Sequence, residues 1–151
     1  MDAVVGSVPA AASASGRWIV RTNWQAPDFR LVQVPVGEEA DRTRWQELVA
    51  PAAGTFIHRF DVFRDFLAIE ERSGGLRKVR VRPWNAGEDF CLASAEPAYR
   101  MTLGDNEELD SNVLRYTYTS LTTPLTTYDI DLHTGERTLL KRDPVLGDFD
   151  P

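Results

Sequence analysis

Apolar and polar residues alternate along many short stretches of this chain. Val79 and Val81 lie two positions apart among polar residues, and Tyr128 and Ile130 do the same further along. Alternation with a period of two, together with β-branched and aromatic residues, is typical of half-buried strands rather than helices. Because no window of about ten or more residues combines apolar residues at helical spacing with capping residues, we predict an all-β fold.

The predicted strands recur at an interval of about 47 residues, which indicates a repeat architecture. The second strand of each repeat starts at Trp18, Phe66 and Val113, which are 48 and 47 positions apart. The fourth strand is followed by a proline, which ends a strand because it fixes φ and has no N–H to donate. These prolines keep the same interval, at Pro51, Pro97 and Pro144.

Each repeat predicts a module of four antiparallel strands, because the connections are too short for parallel neighbours. The loops Ser73-Gly74-Gly75 and His133-Thr134-Gly135 are predicted as three-residue hairpins with a left-handed glycine. The first strand of the first module is predicted from the repeat alone, because its own residues show no clear strand pattern. The predicted strands are residues 3–8, 18–22, 31–36 and 45–49; then 55–62, 66–70, 76–83 and 90–93; then 99–103, 113–118, 126–132 and 138–141.

Four-stranded antiparallel sheets repeated at this interval are typical of the blades of a β-propeller. A propeller has about four to eight blades, so three modules would form part of a ring and the chain would be part of a larger propeller. We place the three blades at about 1–52, 53–97 and 98–145, with 146–151 as a junction. The stretch before Gly16 is interpreted as a lead-in or a blade remnant, since Asp2 stands where a signal peptide has basic residues.

Composition and charge narrow the class of protein. The chain has 151 residues, of which 42% are hydrophobic and 26% charged, as in an ordinary soluble domain. A net charge of −6 argues against nucleic acid as a partner, and no apolar run is long enough for a membrane span. Cys91 is the single cysteine, which excludes an internal disulfide and favours a reducing, cytoplasmic location.

No pattern in the chain indicates a catalytic centre. A nucleophilic serine on a sharp turn would lie in G-x-S-x-G, and Ser73 comes closest but lacks the preceding glycine. His58 is predicted in a strand and His133 in a turn, so we interpret both as structural. We therefore predict no catalytic residue, no metal ligand and no cofactor for this chain.

The acidic stretch Asp105, Glu107, Glu108 and Asp110 has two interpretations. Clustered carboxylates favour calcium, but the spacing does not match an EF-hand loop. We favour a solvated loop between the first and second strands of the third module.

A basic set flanks the loop of the second module's central hairpin: Arg72, Arg77, Lys78, Arg80 and Arg82. Lys78, Arg80 and Arg82 alternate with valines and are predicted to share one strand face exposed to solvent. The alternative is an electrostatic contact with an acidic partner domain or substrate.

The remaining conspicuous side chains are interpreted as packing residues. Cys91 alternates with apolar neighbours in a predicted strand and is expected to be a small buried hydrophobe. Large indole rings in or beside strands fill the space between neighbouring sheets, which is the role we expect for most of Trp18, Trp24, Trp45 and Trp84.

Several motifs in order resemble one known family. The run TNWQAPDFRL at 22–31 is similar to a TN-x-x-APN-x-RL segment, with Asp28 in place of the usual asparagine. FRD at 63–65 with ERSGGL at 71–76, and YTSLTTP at 118–124 with TGER at 134–137, resemble the following blades of the same proteins. By these motifs the region 16–151 resembles the last three propeller blades of the oligopeptidase B group, in the prolyl oligopeptidase family of serine peptidases.

The resemblance implies a part in a larger enzyme. In that family a seven-bladed propeller covers an α/β-hydrolase domain, and the GDFDP run at 147–151 is similar to the junction between them. The implied role is to admit short peptides to a site that cleaves after arginine or lysine, with Asp105, Glu107 and Glu108 as a possible acidic approach path. No position matches a catalytic residue of the family. The alternatives are a free-standing propeller module that binds other proteins and a small hydrolase complete in itself. Blade faces without neighbours also predict self-association.

Overall fold

The computed structural model describes residues 3–4 and 16–145, and their regular structure is almost entirely strand. A 3-10 turn at Arg42–Arg44, whose start is capped by the Asp41 carboxylate, is the one helical element in this part of the chain. The described residues contain no helix that is long and apolar enough to cross a membrane. The strands are β1 (Ala3–Val4), β2 (Arg17–Thr22), β3 (Arg30–Pro35), β4 (Gln46–Val49), β5 (Thr55–Val62), β6 (Phe66–Ser73), β7 (Leu76–Pro83), β8 (Phe90–Cys91), β9 (Tyr99–Leu103), β10 (Val113–Ser120), β11 (Thr126–Asp131) and β12 (Arg137–Arg142).

The strands form three successive antiparallel sets of four, which confirms the predicted partial propeller. We call β1–β4, β5–β8 and β9–β12 the first, second and third modules. The first module is a separate sheet with the order β1-β2-β3-β4. The other two share a sheet with the order β12-β11-β10-β9-β7-β6-β5, in which β8 also pairs with β7. Among the described strands one parallel pairing occurs, a single bridge between Arg77 of β7 and Arg100 of β9, and it joins these two modules. Predicted residues 5–8 and the junction 146–151 lie outside the described residues.

The second module is covered by a neighbour on each face. Its central strand β6 is buried on both sides, since Leu67 and Ile69 face the first module while Phe66 and Ala68 face the third. The sheets therefore pack face to face, as blades do. The core between the first two modules contains Ile19, Leu31, Val49, Ile57, Val62, Leu67 and Ile69. The core between the last two contains Phe63, Phe66, Ala68, Val79, Val81, Leu92, Met101, Leu103, Leu114, Tyr116 and Tyr118.

The tryptophans pack beside these cores, as expected for most of them. Trp18 and Trp45 cover a further cluster in the first module, and Trp84 packs against the core between the first two modules. Trp24 meets Trp45 edge to face, with ring centroids 6.1 Å apart. All four indoles are half-buried.

The hairpin between β6 and β7 is tighter than predicted. Ser73 pairs with Leu76, so the loop has two residues instead of three. Gly74 and Gly75 have φ angles of 59° and 79°. A two-residue hairpin of type I′ needs a positive φ at both central positions, which glycine adopts without steric cost.

Cys91 is exposed, and the prediction that it is buried was wrong. The reason is that β8 has only two residues and pairs with β7 at Arg80 and Val81 alone. The chain then turns inward, so Leu92 fills the core position instead.

Antiparallel order places alternate connections at opposite ends of the modules. The chain passes from one module to the next at 50–54 and 92–98, and the turns between second and third strands lie at this same end, at 23–29, 74–75 and 121–125. We call this the linker end. The remaining connections lie at the other end, at 36–45, 63–65, 84–89, 104–112 and 132–136.

Candidate functional site

The two ends of the modules differ strongly in charge. Connections at the linker end contain only two charged residues, Asp28 and Glu96. The connections at the other end contain many more acidic than basic side chains, and we call it the acidic end. Its acidic residues are Glu38, Glu39, Asp41, Asp65, Glu88, Asp89, Asp105, Glu107, Glu108, Asp110 and Glu136, against Arg42, Arg44 and Arg64.

An open cleft of about 590 Å³ lies at the acidic end of the third module. The predicted acidic stretch lines one side of it, and the cleft is therefore the clearest candidate site at this end. Its lining residues are Phe63, Asp105, Asn106, Glu107, Glu108, Ser111, Val113, Arg115 and Asp129.

The loop that carries these carboxylates is fixed by Asn106. Its side-chain amide donates to Asp61 Oδ2 at 3.0 Å, and its Oδ1 accepts from the backbone N–H of Arg115 at 2.7 Å. Gly104 brings the loop against the sheet, since a Cβ at this position would lie 2.8 Å from Cγ of Arg115. The loop is thus anchored at its base.

The carboxylates in the cleft differ in how far they are neutralised. Asp129 accepts two hydrogen bonds from Arg115, at 2.8 and 2.9 Å. Asp105, Glu107 and Glu108 are exposed. Within residues 16–145 no set of three or more acidic, histidine or cysteine side chains is placed to hold a metal ion. The cleft can therefore attract cationic groups through its open carboxylates.

The prediction that Lys78, Arg80 and Arg82 form a solvent-facing strand surface was wrong. Arg80 and Arg82 are part-buried between the first and second modules. Arg82 donates to the backbone carbonyl of Leu48 in the first module. Alternation identified the two faces of β7 but not what covers them, and in this fold a neighbouring module covers the polar face too.

Two acidic residues neutralise these arginines inside the second module. Asp89 accepts from Arg80 and Arg82 at 2.8 Å each, and Glu71 accepts from Arg80 at 2.9 Å. Hydrogen bonding from Arg82, in a site that partly desolvates the carboxyl, holds the pKa of Asp89 below its ordinary value. This part of the basic set is therefore an internal network of charges.

The two histidines lie at opposite ends and contact different partners. His58 is the extra residue of a bulge in β5, and its Nε2 lies 3.2 Å from a guanidinium nitrogen of Arg77. Burial, followed by the positive charge of Arg77 and other arginines, lowers the pKa of His58. His133 lies 3.4 Å from a carboxylate oxygen of Asp65 at the acidic end. Ser73 has no hydrogen bond to either histidine among the described residues.

A hydroxyl cluster at the linker end was not predicted. The carboxylate of Glu96 accepts from Ser120 at 2.6 Å and from Thr123 at 3.0 Å, and also from Tyr118 and Thr122. Hydrogen bonds from Ser120, then from Thr122 and Tyr118, lower the pKa of Glu96 to about 2. The run of hydroxyls at 118–123 was the available signal, but its acceptor lies more than 20 positions earlier in the chain.

The same loop exposes an apolar side chain. Leu121 is 94% exposed at the tip between β10 and β11, while Ser120 accepts from the backbone N–H groups of Thr122 and Thr123. The hydroxyl cluster therefore holds a short loop whose tip is free.

Comparison with known proteins gives consistent results. The sequence profile described as "Prolyl oligopeptidase, N-terminal beta-propeller domain" matches residues 4–143. Dipeptidyl aminopeptidase BI of Pseudoxanthomonas mexicana is 40% identical over 132 residues, and Protease 2 of Moraxella lacunata is 30% identical over the same length. These matches cover 87% of this chain, which spans 18% of the length of each relative.

A solved structure shows the same arrangement of strands. Oligopeptidase B from Trypanosoma brucei, in a closed form with covalently bound antipain, superposes with a TM-score of 0.77 and 25% sequence identity. The superposition covers 89% of this chain and 20% of that chain.

Proposed function

This chain belongs to the prolyl oligopeptidase family, as a segment of its N-terminal β-propeller domain, and from this we propose that it serves a serine oligopeptidase without taking part in the chemistry. In the complete enzyme it would form the last three blades, at about 1–52, 53–97 and 98–145. A ring of closely packed blades would admit short peptides to an α/β-hydrolase site and exclude folded proteins. The enzyme would cleave after arginine or lysine, in the cytoplasm and without a cofactor.

The observation that carries this proposal beyond the family is the charge of the acidic end. Exposed carboxylates attract cationic ligands and raise their local concentration, an effect that falls with ionic strength. Asp105, Glu107 and Glu108 are exposed around a cleft of about 590 Å³, and further acidic connections surround them. This end would favour the approach of basic peptides.

The linker end is the end that would face the catalytic domain. The matched domain is described as N-terminal in its family, so a catalytic domain would follow it in the chain. Strand β12 runs towards the linker end and would lead into that domain there. Leu121, at the exposed tip on this end, would meet it.

The first test compares this chain with the complete enzyme on short arginyl and lysyl amide substrates. We expect the complete enzyme to hydrolyse them and the chain alone to be inactive, because the nucleophile would be in the other domain. Hydrolysis by the chain alone that a serine-reactive inhibitor abolishes would contradict the non-catalytic role. A complete reading frame with further blades and no hydrolase would favour the alternative, a propeller module that binds other proteins.

The second test measures electrostatic steering, the attraction of basic peptides by the acidic end, in the complete enzyme. Replacing Asp105, Glu107 and Glu108 by Asn, Gln and Gln should lower kcat/KM for peptides with several basic residues by roughly threefold to tenfold at low salt. A peptide with the same cleaved arginine but zero net charge is the matched control and should change little. Equal losses on both peptides would contradict steering.

A further inference from the structure

A second cavity lies at the acidic end, in the gap between the second and third modules. Its volume is about 500 Å³, which is within the range of small-ligand sites. The connections at 63–65 and 84–89 of the second module and at 132–136 of the third contribute to its lining. We call this cavity the aromatic pocket, and its apolar and aromatic lining includes Phe66, Pro83, Phe90, Leu132 and His133.

The wall from the second module belongs to one face of that sheet. Phe66 on β6 is the register partner of Pro83 on β7, and Phe90 on β8 is the register partner of Val81. Register partners point to the same face, and both Phe66 and Val81 belong to the core between the second and third modules. The wall therefore continues this core to the surface, where Phe90 is 41% exposed.

The wall from the third module is the turn between β11 and β12. Leu132 packs against the same core, and the ring of His133 meets the ring of Phe66 edge to face, with centroids 5.2 Å apart. Rings and aliphatic groups from two modules therefore surround the cavity.

One carboxylate, that of Asp65, lines this otherwise apolar and aromatic wall. Its Oδ2 lies 3.4 Å from Nε2 of His133, and the side chain is 45% exposed. Among the described residues no lysine or arginine forms an ion pair with Asp65, and none lines the pocket. A cationic ligand could therefore reach this carboxylate without displacing a lysine or arginine of the described chain.

The turn that carries Asp65 is held by three hydrogen bonds. The backbone N–H of Trp84 donates to the carbonyl of Asp65 at 2.9 Å, and its indole N–H donates to the carbonyl of Phe63 at 3.0 Å. The backbone N–H of Arg64 donates to the carbonyl of Leu109 in the third module at 2.8 Å. The backbone beneath the carboxylate is thus fixed in advance, which lowers the entropic cost of binding a ligand.

We propose that the aromatic pocket binds an arginine side chain of a basic peptide, with the guanidinium group on Asp65 and against the rings. A planar guanidinium group matches a carboxylate in geometry and charge, and it also stacks on aromatic faces. The chain itself contains such a stack, since the guanidinium of Arg21 lies 3.6 Å from the ring centroid of Phe29. The inference rests on the proposed function, in which basic peptides approach the acidic end.

The test uses the complete enzyme after its catalytic serine has been blocked by a serine-reactive inhibitor that carries arginine. The probes are two N-acetylated tripeptide amides, glycyl-arginyl-glycine and the same peptide with citrulline, whose side chain has nearly the same shape but no charge. Ligand-observed NMR measures the dissociation constant of each. We expect the arginine peptide to bind about tenfold more tightly, the effect of one charge-assisted hydrogen bond.

Two variants test the two walls of the pocket. Asp65→Asn should abolish the preference for the arginine peptide, because it removes the charge with little change in shape. Phe90→Ala should weaken binding of the arginine peptide by about threefold, the size of an exposed cation–π contact. Both positions are exposed, so the variants should fold.

Glu88→Gln is the matched control, because it removes an exposed carboxylate of the same end that does not line the pocket. Equal losses in Asp65→Asn and Glu88→Gln would overturn the inference and assign binding to the general field of the acidic end. Equal binding of the arginine and citrulline peptides would overturn it, and so would a lysine peptide that binds as tightly as the arginine peptide. An enzyme that cleaves no arginyl amide substrate before it is blocked would contradict the proposed function instead.

Discussion

The carboxylate of Glu70 accepts a hydrogen bond from the backbone N–H of Leu103 at 3.0 Å, across the boundary between the second and third modules. The same carboxylate lies 3.2 Å from Arg77, and Glu70 is only 3% exposed. A buried backbone N–H needs a hydrogen-bond partner. The side chain of Glu70 therefore pairs both with a backbone donor of the third module and with the charge of Arg77 in the second.

Glu70→Ala should destabilise the protein by about 2 to 4 kcal/mol, because it leaves the N–H of Leu103 and the charge of Arg77 without a partner. Glu70→Gln should cost less, since its amide oxygen can still accept from Leu103. The free energy of unfolding from urea denaturation measures both. Glu107→Ala, at an exposed position, is the control and should stay within about 0.5 kcal/mol of the wild type. Equal stabilities of Glu70→Ala and the control would contradict the assignment.

Gly75→Ala should destabilise the β6–β7 hairpin by about 1 to 2 kcal/mol, because φ at this position is 79° and a Cβ is unfavourable there. No neighbouring atom lies within 4 Å of the added Cβ, so the loss would come from the backbone alone. Gly75→Asn should lose less, since asparagine tolerates the left-handed region. Thermal unfolding of both variants checks the order, and an alanine variant as stable as the wild type would refute it.

Glu96 should contribute to stability in a pH-dependent way. Hydrogen bonds from hydroxyl groups lower its pKa in the folded protein from 4.5 to about 2. Its contribution is therefore complete above about pH 4.5 and is lost as the pH falls towards 2. The difference in stability between wild type and Glu96→Gln should shrink over that range in urea titrations at several pH values.

Thr123→Val is the matched variant for this titration. It removes one of the hydroxyl donors to Glu96, at 3.0 Å, and should raise the pKa of Glu96 part of the way towards 4.5. The window in which stability is lost would then become narrower. A difference between wild type and Glu96→Gln that stays constant from pH 6 to about 2 would show that the cluster does not stabilise the carboxylate.

Self-association of the isolated chain remains a prediction, and its basis is now more specific. The outer face of the third module carries Arg100, Thr102, Thr117 and Thr119, so it is more polar than expected. Strand β12 is exposed along its whole length and pairs only with β11 among the described strands. An open strand edge with exposed Leu139 and Leu140 favours pairing between chains.

Light scattering of the chain should therefore detect species larger than a monomer, and Leu140→Lys should reduce them because a charge on an edge strand opposes pairing. Leu121→Gln removes a more exposed leucine away from the edge and serves as the control. A monomeric wild type would contradict the prediction. Equal effects of the two variants would show that general hydrophobicity, rather than the edge, drives association.

The strand pattern was predictable from local sequence, whereas the environment of each strand face was not. The predicted bounds of β5, β7 and β9 are those observed, because alternation and the following turns are local signals. The environment of Arg82 was predicted wrongly because Leu48, whose carbonyl accepts its hydrogen bond, lies 34 positions away and belongs to another module. Strand β6 continues to Ser73 through Glu70 and Glu71, and nothing in the local pattern indicates that both carboxylates are buried.

The candidate sites also divide into features that local sequence indicates and features that depend on contacts between distant parts of the chain. The acidic stretch around Glu107 could be found from composition, since clustered charges are visible in a sequence. The single bridge between Arg77 and Arg100 joins two modules, and no local pattern predicts it. The environment of Glu96 likewise depends on a loop more than 20 positions further along the chain.

A single bridge between Arg77 of β7 and Arg100 of β9 joins the second and third modules by backbone hydrogen bonding, while the first module forms a sheet of its own. Segments joined in this way tend to open as a single cooperative unit. In hydrogen exchange, the amides of β6, β7 and β10 would then lose protection together, and those of β2 and β3 would do so separately. The molecule would behave as two foldons, although its sequence repeats three times.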